Sequence, residues 1–145
     1  VNALERRLAR LESERDLARL AAEYCHGADD RQIETFLAVW EPDAVWDVGP
    51  HRFTGVAEIE AAVRRQWDAF DGMLHTTSNP VIEFDTESLA RGRLDVVSVA
   101  VLADGRRVLT TGRYDDVYAR GADGWRIRER RAVVTTSTEL PAPPG

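Results

Sequence analysis

From His75 to Thr138 the chain consists of four long extended runs, TTSNPVIEF, LARGRLDVVSVAVL, RVLTTGRYDDVYA and WRIRERRAVVTTST, separated only by DTES, ADG and RGADG. Separators this short and this rich in Gly, Asp and Ser reverse the chain tightly, so neighbouring runs pair as an antiparallel meander. Strands of this length must twist and coil, and Gly92 and Gly112 are the natural places for a bulge or bend.

The first half reads differently. Leu4, Leu8 and Leu11 recur at helical spacing, and Ser13 with Asp16 three residues on resembles a capping box. Leu17, Leu20, Ala21 and Tyr24 continue an apolar stripe whose expected end is Gly27. Ile33, Phe36, Leu37 and Trp40 predict a second helix, stopped by Glu41-Pro42-Asp43. A third, after Gly55, places Ile59, Val63, Trp67 and Phe70 on one side. Between them AVWDVG and HRF read as short strands joined by a Gly-Pro turn.

Helices followed by strands make an α+β domain, and three helices cannot cover both faces of so large a sheet. The expected architecture is a cone-shaped, curved, mixed but mostly antiparallel sheet wrapped around three N-terminal helices, an α+β barrel with one open end. At 145 residues the chain reads as a single domain, 1–145, with 139–145 a loose Pro-rich tail. Trp40, Trp46, Trp67, Phe36, Phe70 and Tyr24 are available to line the cone, although core packing alone explains most such aromatics taken singly.

A net charge of -6 argues against a nucleic-acid partner, because phosphate binding wants clustered Lys and Arg and here acids surround the arginines. No apolar run approaches the ~20 residues of a membrane span. The single Cys25 excludes an internal disulfide and fits a reducing, cytoplasmic setting.

Only three histidines can act as neutral-pH bases: His26 beside the helix-ending glycine, His51 in a turn, and His75 where the third helix meets the sheet. His75 enters at the rim of the cone, and Asp29 follows the end of the first helix, which the same cone encloses. An Asp beside a His accepts a bond from Nδ1–H, fixes the tautomer and leaves Nε2 free to take a proton. Asp30 reads as a turn residue capping a helix that starts near Arg31 or Gln32. The spacing of His26, Asp29 and His75 matches no metal motif, and neither metal nor cofactor is expected.

The ordered segments YCHGADDRQ, FLAVWEPDAVWDVG, TGVAEIEAAV, HTTSNPVIEF, GRYDDVYAR and GWRIRERR resemble the SnoaL-like branch of the nuclear-transport-factor-2-like (NTF2-like) superfamily. In pattern the chain is similar to the group of scytalone dehydratase, bile-acid 7α-dehydratase and hexachlorocyclohexane dehydrochlorinase over roughly residues 12–136. The resemblance implies an Asp29–His75 catalytic dyad, Tyr24 as a third catalytic residue and Trp40 as a substrate contact. It also implies a late arginine; the family position falls near Val134, leaving Arg130 or Arg131 to supply it. Trp46, Phe36, Trp67, Asn79 and Arg130 complete the expected substrate-binding set, with Asn79 also suited to a turn before Pro80. The function implied is a cofactor-independent lyase (dehydratase or eliminase) or isomerase acting on a hydrophobic cyclic small molecule, in a homodimer formed through the sheet's outer face. The same fold also hosts non-catalytic binding modules, polyketide cyclases and epoxide hydrolases.

Overall fold

A computed structural model describes residues 1–145, in the order α1 (Ala3–Asp29), α2 (Ile33–Ala38), β1 (Trp40–Val48), β2 (His51–Thr54), α3 (Val56–Ala69), β3 (Phe70–Phe84), β4 (Leu89–Leu102), β5 (Arg107–Gly121) and β6 (Gly124–Leu140).

The first helix is longer and simpler than its sequence suggests. Its capping box is made by Asn2 and Glu5, with the Asn2 side chain accepting from the Glu5 N–H and Glu5 accepting from the Asn2 N–H. Ser13 lies buried inside the continuous helix, so no restart occurs there. Leu4, Leu8 and Leu11 also do not share a stripe with Leu17, Leu20 and Tyr24. At 3.6 residues per turn the two sets lie about 180° apart. The second set is buried against the domain, while the three leucines are 72%, 55% and 63% exposed.

At its other end α1 runs past Gly27 to Asp29. Gly27 is retained for close packing: a Cβ there would lie 2.7 Å from the Phe36 backbone nitrogen. Termination comes from a Schellman arrangement, in which the Gln32 N–H donates to the Gly27 carbonyl and Arg31 adopts φ 54°. A left-handed non-glycine costs roughly 1–2 kcal/mol. The Arg31 guanidinium offsets that by donating to the Trp67 and Phe70 carbonyls at 3.0 and 2.7 Å, tying the end of α1 to the end of α3. Asp30 is the residue that closes α1, and α2 has Gln32 at its N-cap with no side-chain cap, so the expected capping role of Asp30 is not realised.

Helix α2 stops at Ala38 because Val39, its C-cap, already bonds to β6 and Trp40 opens β1. The Ile127 N–H donates to the Val39 carbonyl at 2.8 Å, and Pro42 disfavours helical geometry at Glu41. Phe70 likewise opens β3 instead of closing α3.

The six strands run β2-β1-β6-β5-β4-β3, every pair antiparallel except β1–β6. Between β1 and β3 lie three other strands, so a flat sheet would hold them roughly 19 Å apart. Yet the Tyr24 ring centroid is 6.3 Å from that of Trp46 on β1 and 6.5 Å from that of His75 on β3. The sheet therefore curls around the end of α1. It remains open, with β2 and β3 as edges, so the fold is a curled α+β sheet and not a closed barrel. Gly112 sits at the bulge between Thr111 and Gly112 in the β5–β6 ladder. Gly92 lies in regular pairing and instead leaves room for the Tyr118 ring, whose Cε2 would be 2.6 Å from a Cβ there. Strand β6 continues to Leu140, paired with Arg107, so the irregular tail is 141–145 and not 139–145. No helix is long and apolar enough to cross a membrane.

Candidate active site

Asp29 is the last residue of α1. An acid there faces the negative end of the helix dipole, which works against its charge. Two bonds to β3 compensate. Oδ2 accepts the backbone N–H of His75 at 2.7 Å, and Oδ1 meets His75 Nδ1 at 2.5 Å. The side chains are 8% and 14% exposed, so the pair is shielded without being sealed. With Nδ1 taken by the carboxylate, Nε2 is the ring nitrogen with no protein partner. His75 belongs to the wall of a cavity of about 330 Å³, within the range of small-molecule sites.

Tyr24, one and a half turns before Asp29, lines the same cavity with Trp46, Phe70, Met73 and Tyr114, and valines of β4 to β6 make much of the remaining wall. Behind Tyr24 lies a charged layer. Arg130 donates from Nε and Nη2 to the two carboxylate oxygens of Asp116 at 2.9 and 2.8 Å, and both side chains are fully buried. Tyr118 donates its hydroxyl to Asp116. The guanidinium carbon stands 4.3 Å from the Tyr24 ring centroid and 4.1 Å from that of Tyr114. Arg130 Nη1 has no oxygen partner, and the electron-rich Tyr24 and Tyr114 rings, set edge to face against each other around the guanidinium, are its compensation.

The expected site residues thus divide. His75, Tyr24 and Trp46 line the cavity, and Asp29 stands behind His75, bonded to its ring and its backbone N–H. Phe36 and Trp40 do not line it; they are buried beneath Tyr24, at ring-centroid distances of 5.3 and 5.9 Å. Trp67 is a strut, its indole N–H donating to the Ala28 carbonyl at 2.7 Å next to Asp29. Asn79 is on the outside: it adopts φ 52° at a bulge in β3, where Pro80 cannot donate, and bonds Asp95 at 2.7 Å. Arg130 is inward but screened from the cavity by the rings it touches, and Arg131 is exposed on the opposite face. His26 is exposed on α1, and no three His, Cys, Asp or Glu side chains gather as a metal-binding group. Tyr114 and Asp116 were not anticipated. Their signal lies in GRYDDVYAR, where period-2 alternation puts Tyr114, Asp116 and Tyr118 on the buried face and leaves Asp115 and Val117 outside.

Burial pushes the Tyr24 phenol up to about 12, with the nearby Arg130 pulling the other way. It also raises Tyr114 and Tyr118 well above the usual phenol range, and takes the Cys25 thiol to about 11. A group with a raised folded pKa stabilises the fold fully below its unfolded value and loses that contribution as pH climbs toward the folded one. Stability should therefore be insensitive to these groups up to about pH 9 and fall from there toward pH 12. Since these are the only three tyrosines, near-ultraviolet phenolate absorbance should appear together with loss of circular dichroism. Phenolate absorbance developing near pH 10 in a fully folded protein would contradict the buried tyrosine cluster.

The SnoaL-like domain model matches residues 9–131. The chain belongs to the SnoaL-like family. Solved structures agree with that assignment. A type 2 hexachlorocyclohexane dehydrochlorinase, LinA, is 25% identical with a TM-score of 0.86, covering 95% of this chain and 98% of its own. The LinA-type3 dehydrochlorinase from Novosphingobium barchaimii is 24% identical with a TM-score of 0.86, over 94% and 99%. A scytalone dehydratase-like protein from Novosphingobium aromaticivorans is 21% identical with a TM-score of 0.85, over 93% and 92%. No curated protein matches at a significant level. This SnoaL-like domain therefore shares its whole architecture with dehydrochlorinase and dehydratase-like folds.

Proposed function

We propose that the chain is a cofactor-independent lyase, a dehydratase or eliminase, or an isomerase, that removes a proton from carbon in an apolar cyclic small molecule. The observation that carries this reading is the double attachment of the Asp29 carboxylate to His75, through Nδ1 and through the backbone N–H, at the wall of an open cavity. Asp29 orients the ring, fixes its tautomer and offsets the charge of the imidazolium. His75 Nε2 takes the proton. The electron pair left on carbon either forms a double bond as a neighbouring group departs or moves onto an adjacent carbonyl. The phenol of Tyr24, kept protonated by burial, donates a hydrogen bond to that oxygen or leaving group. Arg130 acts through Tyr24: its charge against the ring makes the phenol a stronger donor without touching substrate.

Apolar walls and stacking aromatics favour a flat hydrophobic ligand. The test is a panel of apolar cyclic compounds assayed without added cofactor. It includes hexachlorocyclohexane, followed by chloride release, and scytalone, followed by loss of water. Thermal-shift measurements use the same panel beside phosphorylated analogues. Turnover of at least one apolar member, abolished in His75→Ala, is the expected result. Stabilisation by an apolar ligand with no turnover of any member would favour a binding module, and stabilisation by polyanions alone would contradict the hydrophobic site.

A further inference from the structure

Leu4, Leu8 and Leu11 project from the face of α1 opposite the one packed on the domain, at 72%, 55% and 63% exposure. Their 4-3 spacing is that of a coiled-coil seam, d-a-d. In that frame Arg7 occupies a g position and Glu12 the following e position. Most of the charged neighbours are satisfied within the helix, Arg10 by Glu14 and Arg19 by Glu23, whereas Arg7 and Glu12 have no ion-pair partner in the chain.

We propose that the N-terminal half of α1 is a self-association surface whose occupant is the same helix of a second copy of this chain, in parallel orientation. Charge decides both the occupant and the direction. A parallel two-fold pair sets Arg7 of each copy beside Glu12 of the other, two complementary contacts flanking the leucine seam. An antiparallel pair centred on the same leucines sets Arg7 near Arg7 and Glu5 near Glu12, like charges on both flanks. The helix is already formed and anchored through Leu17, Leu20 and Tyr24, so pairing orders side chains and not backbone. Three seam residues per copy make a small interface, and Arg15 at the next seam position ends it, so the dimer is reversible and concentration-dependent. The seam lies outside the cavity and its dyad.

Sedimentation of the full chain over a concentration series tests this. Leu8→Glu/Leu11→Glu should halve the native mass at concentrations where the wild type is associated, with an unchanged melting temperature because both positions are exposed. Arg7→Glu should raise the dissociation constant about tenfold, since two cross-helix pairs turn from attractive to repulsive. Adding Glu12→Arg to it should restore wild-type association. A native mass unaffected by the leucine changes would overturn the proposal and place any association elsewhere, such as the sheet face. A wild type that stays monomeric throughout, or charge variants that do not rescue one another, would overturn it as well.

Discussion

His75→Ala should lower turnover by about 10²–10⁴-fold, the usual cost of losing a general base, while leaving the fold intact. The size follows from the lack of a substitute. His26 is exposed on α1, and His51 is exposed at the start of β2. Trp46, Met73, Phe70 and the surrounding valines cannot accept a proton, and the Tyr24 phenol is held protonated by burial. The ring contributes little apolar burial, so the melting temperature should move by no more than a few degrees. Turnover near the wild-type rate would remove His75 from the mechanism. Unfolding of the variant would mark the Asp29 contact as structural.

The second large effect is on stability. Asp116→Ala leaves the Arg130 guanidinium buried, with no carboxylate and only ring faces around it. Breaking a buried ion pair from one side costs about 3–5 kcal/mol. The adjacent Asp115 offers the control: it faces outward, pairs with Arg113 in partly exposed surroundings, and its removal should cost less than about 1 kcal/mol. Replacing both members, Asp116→Leu with Arg130→Met, should recover much of the loss, because no charge is then stranded. Chemical denaturation of the four proteins measures this directly. Equal, small losses for Asp115→Ala and Asp116→Ala would show that the buried pair contributes nothing special.

The β3–β6 meander can be read from the sequence because it depends on local quantities, run lengths, short turns and period-2 alternation, whereas the parallel pairing of β1 with β6 joins segments about 80 residues apart and has no local signal. The Asp29–His75 contact was suggested by the resemblance and is reached by geometry that no local rule supplies. It depends on where α1 stops, which Arg31 sets through the carbonyls of Trp67 in α3 and Phe70 at the start of β3, far along the chain. Trp40 was misplaced because its spacing fits a helix stripe and a strand start equally well, and a tertiary bond at Val39 decides between them. Arg130 shows a different limit. Counting back from the Gly121–Gly124 reversal would pair Asp116 with Glu129. The bulge between Val117 and Tyr118 shifts the ladder by one residue, pairs Asp116 with Arg130 and turns that arginine inward. Nothing local in VYARGADGWRI announces that bulge. The leucines of α1 are the converse case: their periodicity is plain, but only the packing shows that they face away from the core.

The claim that Asp29 and His75 act as one unit is tested most directly by a double-mutant cycle in turnover. Asp29→Asn keeps an oxygen or nitrogen near the imidazole but can hold the wrong tautomer and cannot offset the imidazolium charge, so it should be strongly impaired by itself. If the carboxylate works only through the ring, Asp29→Asn/His75→Ala should be no slower than His75→Ala alone. Defects that instead multiply, with the double variant slower by the product of the single effects, would mean that the two residues serve separate steps, and the dyad would be wrong.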